Sequence, residues 1–186
     1  ERGNNCFAGL FGVAVASTNE TVLINIIIKD AEVYAGNKTD ESEAHYGAGV
    51  LIGSISINGG SNANYLAIEN CKCYGKVDSK MYAGGFAGCT WDSTISNNQA
   101  AGSVMCEGYC GGGFVGYSSS STFTNNKAAA SVVDTGWSAG GFTGADEGST
   151  FVKCIASGNV EAGDWNVGGF GGYLSGNTTI TYSVAL

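Results

Sequence analysis

Bulky apolar residues recur at fixed intervals along the second half of the chain, with small and polar residues between them. Phenylalanines stand at 86, 114, 142 and 170, each after a Gly-Gly pair, at a constant interval of 28 residues. Nine residues after the first three come Ile95, Phe123 and Phe151; the last unit carries one extra residue and reaches Ile180. Val104, Val132 and Val160 follow nine residues after those. The aligned units read STISNNQAAGSV (93–104), STFTNNKAAASV (121–132) and STFVKCIASGNV (149–160). Upstream the pattern continues with longer loops. AIENCKCYGKV (67–77) matches 94–104, Leu51 and Leu10 take the Phe place, and Ile24 and Val33 take the places of Ile95 and Val104. This gives six units, starting near residues 8, 48, 83, 111, 139 and 167, with insertions at 37–45 and 58–65.

Each unit holds two or three short segments rich in Phe, Ile, Val and Thr, parted by Gly, Ser and Asn, which is strand-and-turn composition. A single unit cannot bury such columns, but stacked units bury them as ladders. The pattern therefore predicts an all-β fold: one β-solenoid domain over residues 1–186, its six coils stacked about 4.8 Å apart. The recurring Gly pair has two explanations at this point. Either another surface approaches the strand closely, or the corner needs a positive φ.

Composition narrows the picture. The chain has 31 Gly and no Pro, without the every-third-residue Gly of collagen. It is 44% hydrophobic and only 13% charged, which is not the composition of a disordered chain. A net charge of −8 argues against nucleic acid or anionic membrane as partners. No apolar run approaches the roughly 20 residues that span a bilayer. The strongest, VLINIII (22–28), ends at Lys29-Asp30, and the opening ERGNN has no signal-peptide pattern.

Candidate chemistry is sparse. The seven cysteines are Cys6, Cys71, Cys73, Cys89, Cys106, Cys110 and Cys154. Their spacings do not suit zinc, and disulfides in an oxidising compartment are the favoured reading, with connectivity open. His45 is the only histidine and lies in TDESEAHYGAG (39–49), where a solvated loop is favoured over a triad. Asp40, Glu41 and Glu43 of that loop are candidate calcium ligands, but no EF-hand or Ca-binding nonapeptide accompanies them, so calcium is disfavoured. Asp92, Glu107, Asp134, Asp146, Glu147, Glu161 and Asp164 occupy differing columns, which does not favour the convergent acids or bases that a polysaccharide lyase or hydrolase needs on one face. The expectation is a protein that is not an enzyme and has no cofactor. Asn19, Asn37 and Asn177 open N-x-T sequons, a number that composition alone would produce, and are candidate glycosylation sites in a secreted chain.

Three polar or aromatic columns remain. Met81, Tyr109, Trp137 and Trp165 each stand five residues before a Phe. Tyr109, Trp137 and Trp165 form either a platform for sugar or a partner, or a cover over the Gly corner. Thr94, Thr122, Thr150 and Thr179 form one row; because Ser93 and Ile95 fall on the other face, it reads as single and ice binding is disfavoured. Asn70, Asn97 and Asn125 read as an amide ladder inside the turns, broken at Lys153.

Gly9-Leu10-Phe11-Gly12 carries a Gly-Leu-any-Gly core, and the later units keep it with Phe for Leu, as in Gly85-Phe86-Ala87-Gly88, Gly113-Phe114-Val115-Gly116, Gly141-Phe142-Thr143-Gly144 and Gly169-Phe170-Gly171-Gly172. Ile68, Asn70, Cys71, Gly75 and Val77 match the second half of the same motif. The chain resembles the GLUG-motif repeats over nearly its whole length. The resemblance implies a large secreted or surface-anchored, adhesin-like parent, a structural role and no catalytic residues. Neither end shows a cap, so the coils are expected either to continue in a longer array or to meet head to tail. The functional expectation is an extracellular structural module of an adhesin or filament. Its partners are copies of itself or further repeats of the parent chain. The alternative is glycan binding on Tyr109, Trp137 and Trp165.

Overall fold

Each turn of the chain is four short strands joined by sharp corners. In one turn these are Tyr82–Gly84, Ala87–Trp91, Thr94–Ser96 and Gln99–Cys106. Every strand pairs in parallel with its equivalents in neighbouring turns, which builds four sheets that we number in chain order along a turn. The computed structural model describes residues 6–14, 21–36, 46–55, 66–163 and 165–186. The fold is an all-β parallel solenoid, as the periodicity predicts. Each sheet is six strands deep, and the fourth gains a seventh where one strand splits into Ile155–Ala156 and Val160–Ala162. The strict 28-residue register begins at Tyr82, with Tyr82, Cys110, Ser138 and Asn166 side by side. The regular array is thus four turns rather than six. The two turns before it join the same sheets at longer spacing, and the insertions that cause this, 37–45 and 58–65, lie outside the described residues.

Four strands per turn arise, rather than two or three, because the Gly-Gly-Phe segment is itself a corner. The residue after it starts the second sheet, which folds back against the first. The glycines that close the Gly-Leu-any-Gly core lie in this contact. A Cβ on Gly116 would stand 2.7 Å from the Ala83 nitrogen, one on Gly144 2.8 Å from the Gly111 nitrogen, and one on Gly172 2.8 Å from the Ala139 oxygen. On its other side the first sheet meets the fourth: a Cβ on Gly111 would lie 3.1 Å from Val132 Cγ1 and 3.2 Å from Cys106 Cβ. The first sheet is therefore a thin layer between two others. Gly84 and Gly85 are not among the positive-φ glycines, so close approach is the reason for the Gly pair.

Positive φ recurs from turn to turn at two other corners. One is formed by Asp92, Ser120, Gly148 and Gly176, the other by Asn25, Asn70, Asn97, Asn125, Lys153 and Tyr182. Short polar residues and glycine tolerate this left-handed conformation best. It interrupts the in-out alternation and turns the following residue inward. Ser93, Ser121 and Ser149 are buried as a result, and the Ser93 and Ser121 N–H groups donate to Ser121 Oγ (3.3 Å) and Ser149 Oγ (3.1 Å) of the next turn. At the second corner the buried amides are Asn98 and Asn126, not Asn70, Asn97 and Asn125 as the sequence suggests. The Asn98 N–H donates to Asn126 Oδ1 (2.9 Å), and Asn126 Nδ2 donates to the Ile95 carbonyl (2.7 Å). Asn97 and Asn125 lie outside and bond each other at 2.7 Å.

The core is two interlocked ring columns. Phe86, Phe114, Phe142 and Phe170 stack with centroids 4.5, 4.8 and 5.1 Å apart. Phe123 and Phe151 of the third sheet stack at 4.9 Å and meet the first column edge to face. Offset stacks and T-shaped pairs both suit the ring quadrupole. Substituting Gly144 by Val should destabilise the fold by roughly 1–3 kcal/mol, since backbone rather than a flexible side chain opposes it. Gly163→Ala, whose Cβ meets nothing closer than 3.6 Å, should stay within about 0.5 kcal/mol. Chemical denaturation of the two variants checks this.

Candidate functional surfaces

The corner that precedes the Gly-Gly-Phe segment carries the aromatic column. Tyr109 and Trp137 stack with centroids 5.7 Å apart and planes 23° apart; Trp137 and Trp165 follow at 6.4 Å and 32°. Their exposures rise along the stack, 43%, 59% and 74%, and Trp165, the most exposed, has a ring neighbour on one side only. The structure extends the column into a belt. Tyr82 meets both Tyr109 (6.2 Å) and Tyr117 (5.6 Å), and Tyr117 meets Trp91 (5.6 Å). Tyr117 and Trp91 occupy other repeat positions and reach the belt only because the second sheet folds onto the first, so no sequence spacing announces them. Tyr117 donates to Glu147 Oε2 at 2.9 Å, and burial, followed by that carboxylate, pushes its phenol up to about 12. Within the column the rings are stacked on one another, so their faces are largely mutual, and the terminal ring, Trp165, is the most open.

The cysteines do not match the disulfide reading. Cys71, Cys73, Cys89, Cys106, Cys110 and Cys154 are free and buried; the side chain of Cys6 lies outside the described residues. They act as small core residues. Cys73 holds the inward place of Ala100 in the next turn, and the Cys154 thiol points at the Phe123 carbonyl. Burial pushes the Cys73 and Cys106 thiols up to about 12 and Cys154 up to about 11, and raises Cys71, Cys89 and Cys110 as well. Thiols so protonated are poor nucleophiles.

The acids divide by burial. Asp134 is buried and accepts from the backbone N–H of Gly111 (2.8 Å, Oδ2) and Gly136 (2.6 Å, Oδ1), which ties the first sheet to the corner bearing Trp137. Asp146 is buried and accepts from Ser118 Oγ (2.6 Å), from the Ser149 N–H (3.0 Å) and from Thr178 Oγ1. Asp92, Glu107, Glu147 and Glu161 are exposed on separate columns. Among the described residues no group of three or more His, Cys, Asp or Glu is placed to hold a metal ion. His45, Asp40, Glu41, Glu43 and Asp164 lie outside the described residues, as do the sequons at Asn19 and Asn37. Asn177 is exposed in the turn after Gly176, whose φ is 66°.

The third sheet presents an outward face with two rows, not one. Thr94, Thr122, Thr150 and Thr179 stand in register, and so do Ser96, Thr124, Val152 and Thr181 beside them. Ser93 and Ile95 are buried as expected, but the strand continues, and the residue two positions on returns to the outer face. The signal was present in Thr122-Phe123-Thr124 and Thr179-Ile180-Thr181.

Comparison with protein-family models, with curated proteins and with solved structures finds no match.

Burial holds the Asp134 carboxyl above its ordinary value of 3.8, against the opposing pull of its two N–H donors. A raised folded pKa favours folding below the unfolded value, and that contribution is lost as pH rises through the folded pKa. The stability of the native chain relative to Asp134→Asn should therefore fall as pH rises from about 3.8 and level off above the folded pKa. Denaturation midpoints of both proteins across this range measure it.

Proposed function

We propose that this chain is a structural, surface-displayed β-solenoid module that extends by stacking further turns on its ends. The observation that carries this reading is the contrast between equivalent positions inside the array and at its first and last described turns. Val167 is 54% exposed where its neighbour Ala139 is fully buried, and Ile180 is 39% exposed where Phe151 is fully buried. At the opposite end Phe11 and Val13 are 36% and 37% exposed beside fully buried Ile52 and Ser54. Each end also presents the outer strand of four parallel sheets, a ready template for pairing. Apolar residues on the register of a core, next to strands that are outermost among the described residues, suit another turn of the same pattern, from further repeats of a parent chain or from another copy joined head to tail. The aromatic column fits the same reading, since Trp165 offers an open ring to the next one. Placement at a cell surface or in secreted material rests on the resemblance to GLUG repeats; six buried thiols contribute no disulfide argument for it.

Sedimentation velocity and electron microscopy test the stacking. The chain should associate with rising concentration into rods longer than one array, and Ile180→Asp with Val167→Asp should abolish this without changing the β-sheet circular dichroism. Single short rods at every concentration, unchanged in the double variant, would sink the idea.

A second reading, glycan binding, is supported by the exposure of Trp137 and Trp165 at one corner. Sugar rings stack on open aromatic faces. Replacing both tryptophans by Ala should remove binding on a glycan array by at least about tenfold, the loss of one good stacking contact; binding that survives both changes excludes this site.

A further inference from the structure

The outward face of the third sheet carries side chains in strict register from turn to turn. We propose that it binds ice. Four successive strands, Thr94–Ser96, Thr122–Thr124, Thr150–Val152 and Thr179–Thr181, present eight side chains in two unbroken rows. Seven carry a hydroxyl and the eighth is Val152. Every threonine adds a methyl beside its hydroxyl. The rows form a two-dimensional lattice with a repeat of about 4.8 Å across strands and about 6.6 Å along them, from the rise of roughly 3.3 Å per residue. Water held on such a grid, with hydroxyls as hydrogen-bonding points and methyls keeping the film off the backbone, is arranged at spacings comparable to those of oxygens in an ice surface.

Three further observations distinguish this face from an ordinary solvated strand. The chain carries a net charge of −8, yet over these four strands the two rows contain no charged residue, and the first charge on them is Glu69, in register with Ser96 one turn earlier. A neutral array suits a neutral lattice, whereas charges would hold water in hydration shells. The hydroxyls of Thr94, Thr122, Thr124 and Thr150 have no partner within the described protein, so they are available to water. The face is also held rigidly from within. Ile95, Phe123 and Phe151 lie beneath it, and the buried Ser93–Ser121–Ser149 and Asn98–Asn126 ladders fix its two corners. Threonine is β-branched, so each side chain has few rotamers to lose when water orders on it.

The inference does not depend on end-to-end stacking, since the face runs along the side of the array. Its test uses the chain with ice alone as the probe. Thermal hysteresis and the habit of a growing ice crystal are measured for the native chain, for Thr122→Lys with Thr150→Lys, and for Ser131→Lys on the exposed face of the fourth sheet. The native chain and Ser131→Lys should shape the crystal and depress its growth temperature equally. The double variant should need at least about tenfold more protein for the same effect, with unchanged circular dichroism. Partition of labelled protein into a slowly grown ice hemisphere gives a second readout independent of hysteresis. Round, freely growing crystals and exclusion from the hemisphere for the native chain would overturn the proposal, as would full activity in the folded double variant.

Discussion

The whole architecture depends on backbone approaching backbone where the second sheet folds onto the first. Gly88, Gly116, Gly144 and Gly172 leave no side chain in that contact, and Gly111 leaves none on the opposite side. This lets the first and second sheets lie closer than side-chain packing would allow, while the Val132 and Cys106 side chains of the fourth sheet pack into the space that Gly111 leaves. The phenylalanine column then occupies the end of the double layer, and the third sheet closes the core with its own rings. A larger residue at one of these glycines would separate layers in its own turn and break register with both neighbours. Glycine weakens a strand by its conformational freedom, and the structure offsets that cost by pairing every such strand on both edges inside the array.

Corner chemistry supplies what the glycines cannot. A left-handed residue at each of two corners turns the next polar side chain inward, where it accepts from or donates to the adjacent turn. Buried serine and asparagine are costly without partners. Here they satisfy backbone groups that the corner leaves unpaired, and they do so between turns rather than within one. Each turn thus specifies the position of the next. Cys71, Cys154 and Ser183 take the asparagine place in other turns, and the Cys71 N–H still donates to Asn98 Oδ1 at 2.7 Å.

Much of this was legible in the sequence and some was not. The Phe, Ile and Val columns revealed the solenoid because a core of stacked identical positions leaves a period in the chain. The aromatic column at Tyr109, Trp137 and Trp165 was legible for the same reason. Tyr82, Tyr117 and Trp91 were not, since their contacts cross between sheets and have no fixed spacing. The amide rung between Asn97 and Asn125 was legible and lies on the outside, whereas the buried ladder one residue on, at Asn98 and Asn126, was not, because simple alternation cannot anticipate a positive φ. The cysteines misled for a compositional reason: seven in a short chain suggest cross-links, but a thiol is also a small apolar group that fits a ladder in place of Ala or Asn. The second row of the third sheet was hard to read in the sequence because its members, Ser96, Thr124, Val152 and Thr181, are chemically mixed.

Strand order along the stack has a mechanical consequence. Among the described residues each turn pairs with the turn before and the turn after, with no strand that bridges distant turns. Tension applied across the two ends would not shear a sheet all at once. It would peel one turn at a time, releasing 28 residues per step, or about 95 Å of extended chain at some 3.4 Å per residue. The array would behave as a yielding tether that lengthens in equal increments and recovers by the same path, with each remaining turn offering the template on which the next is laid down.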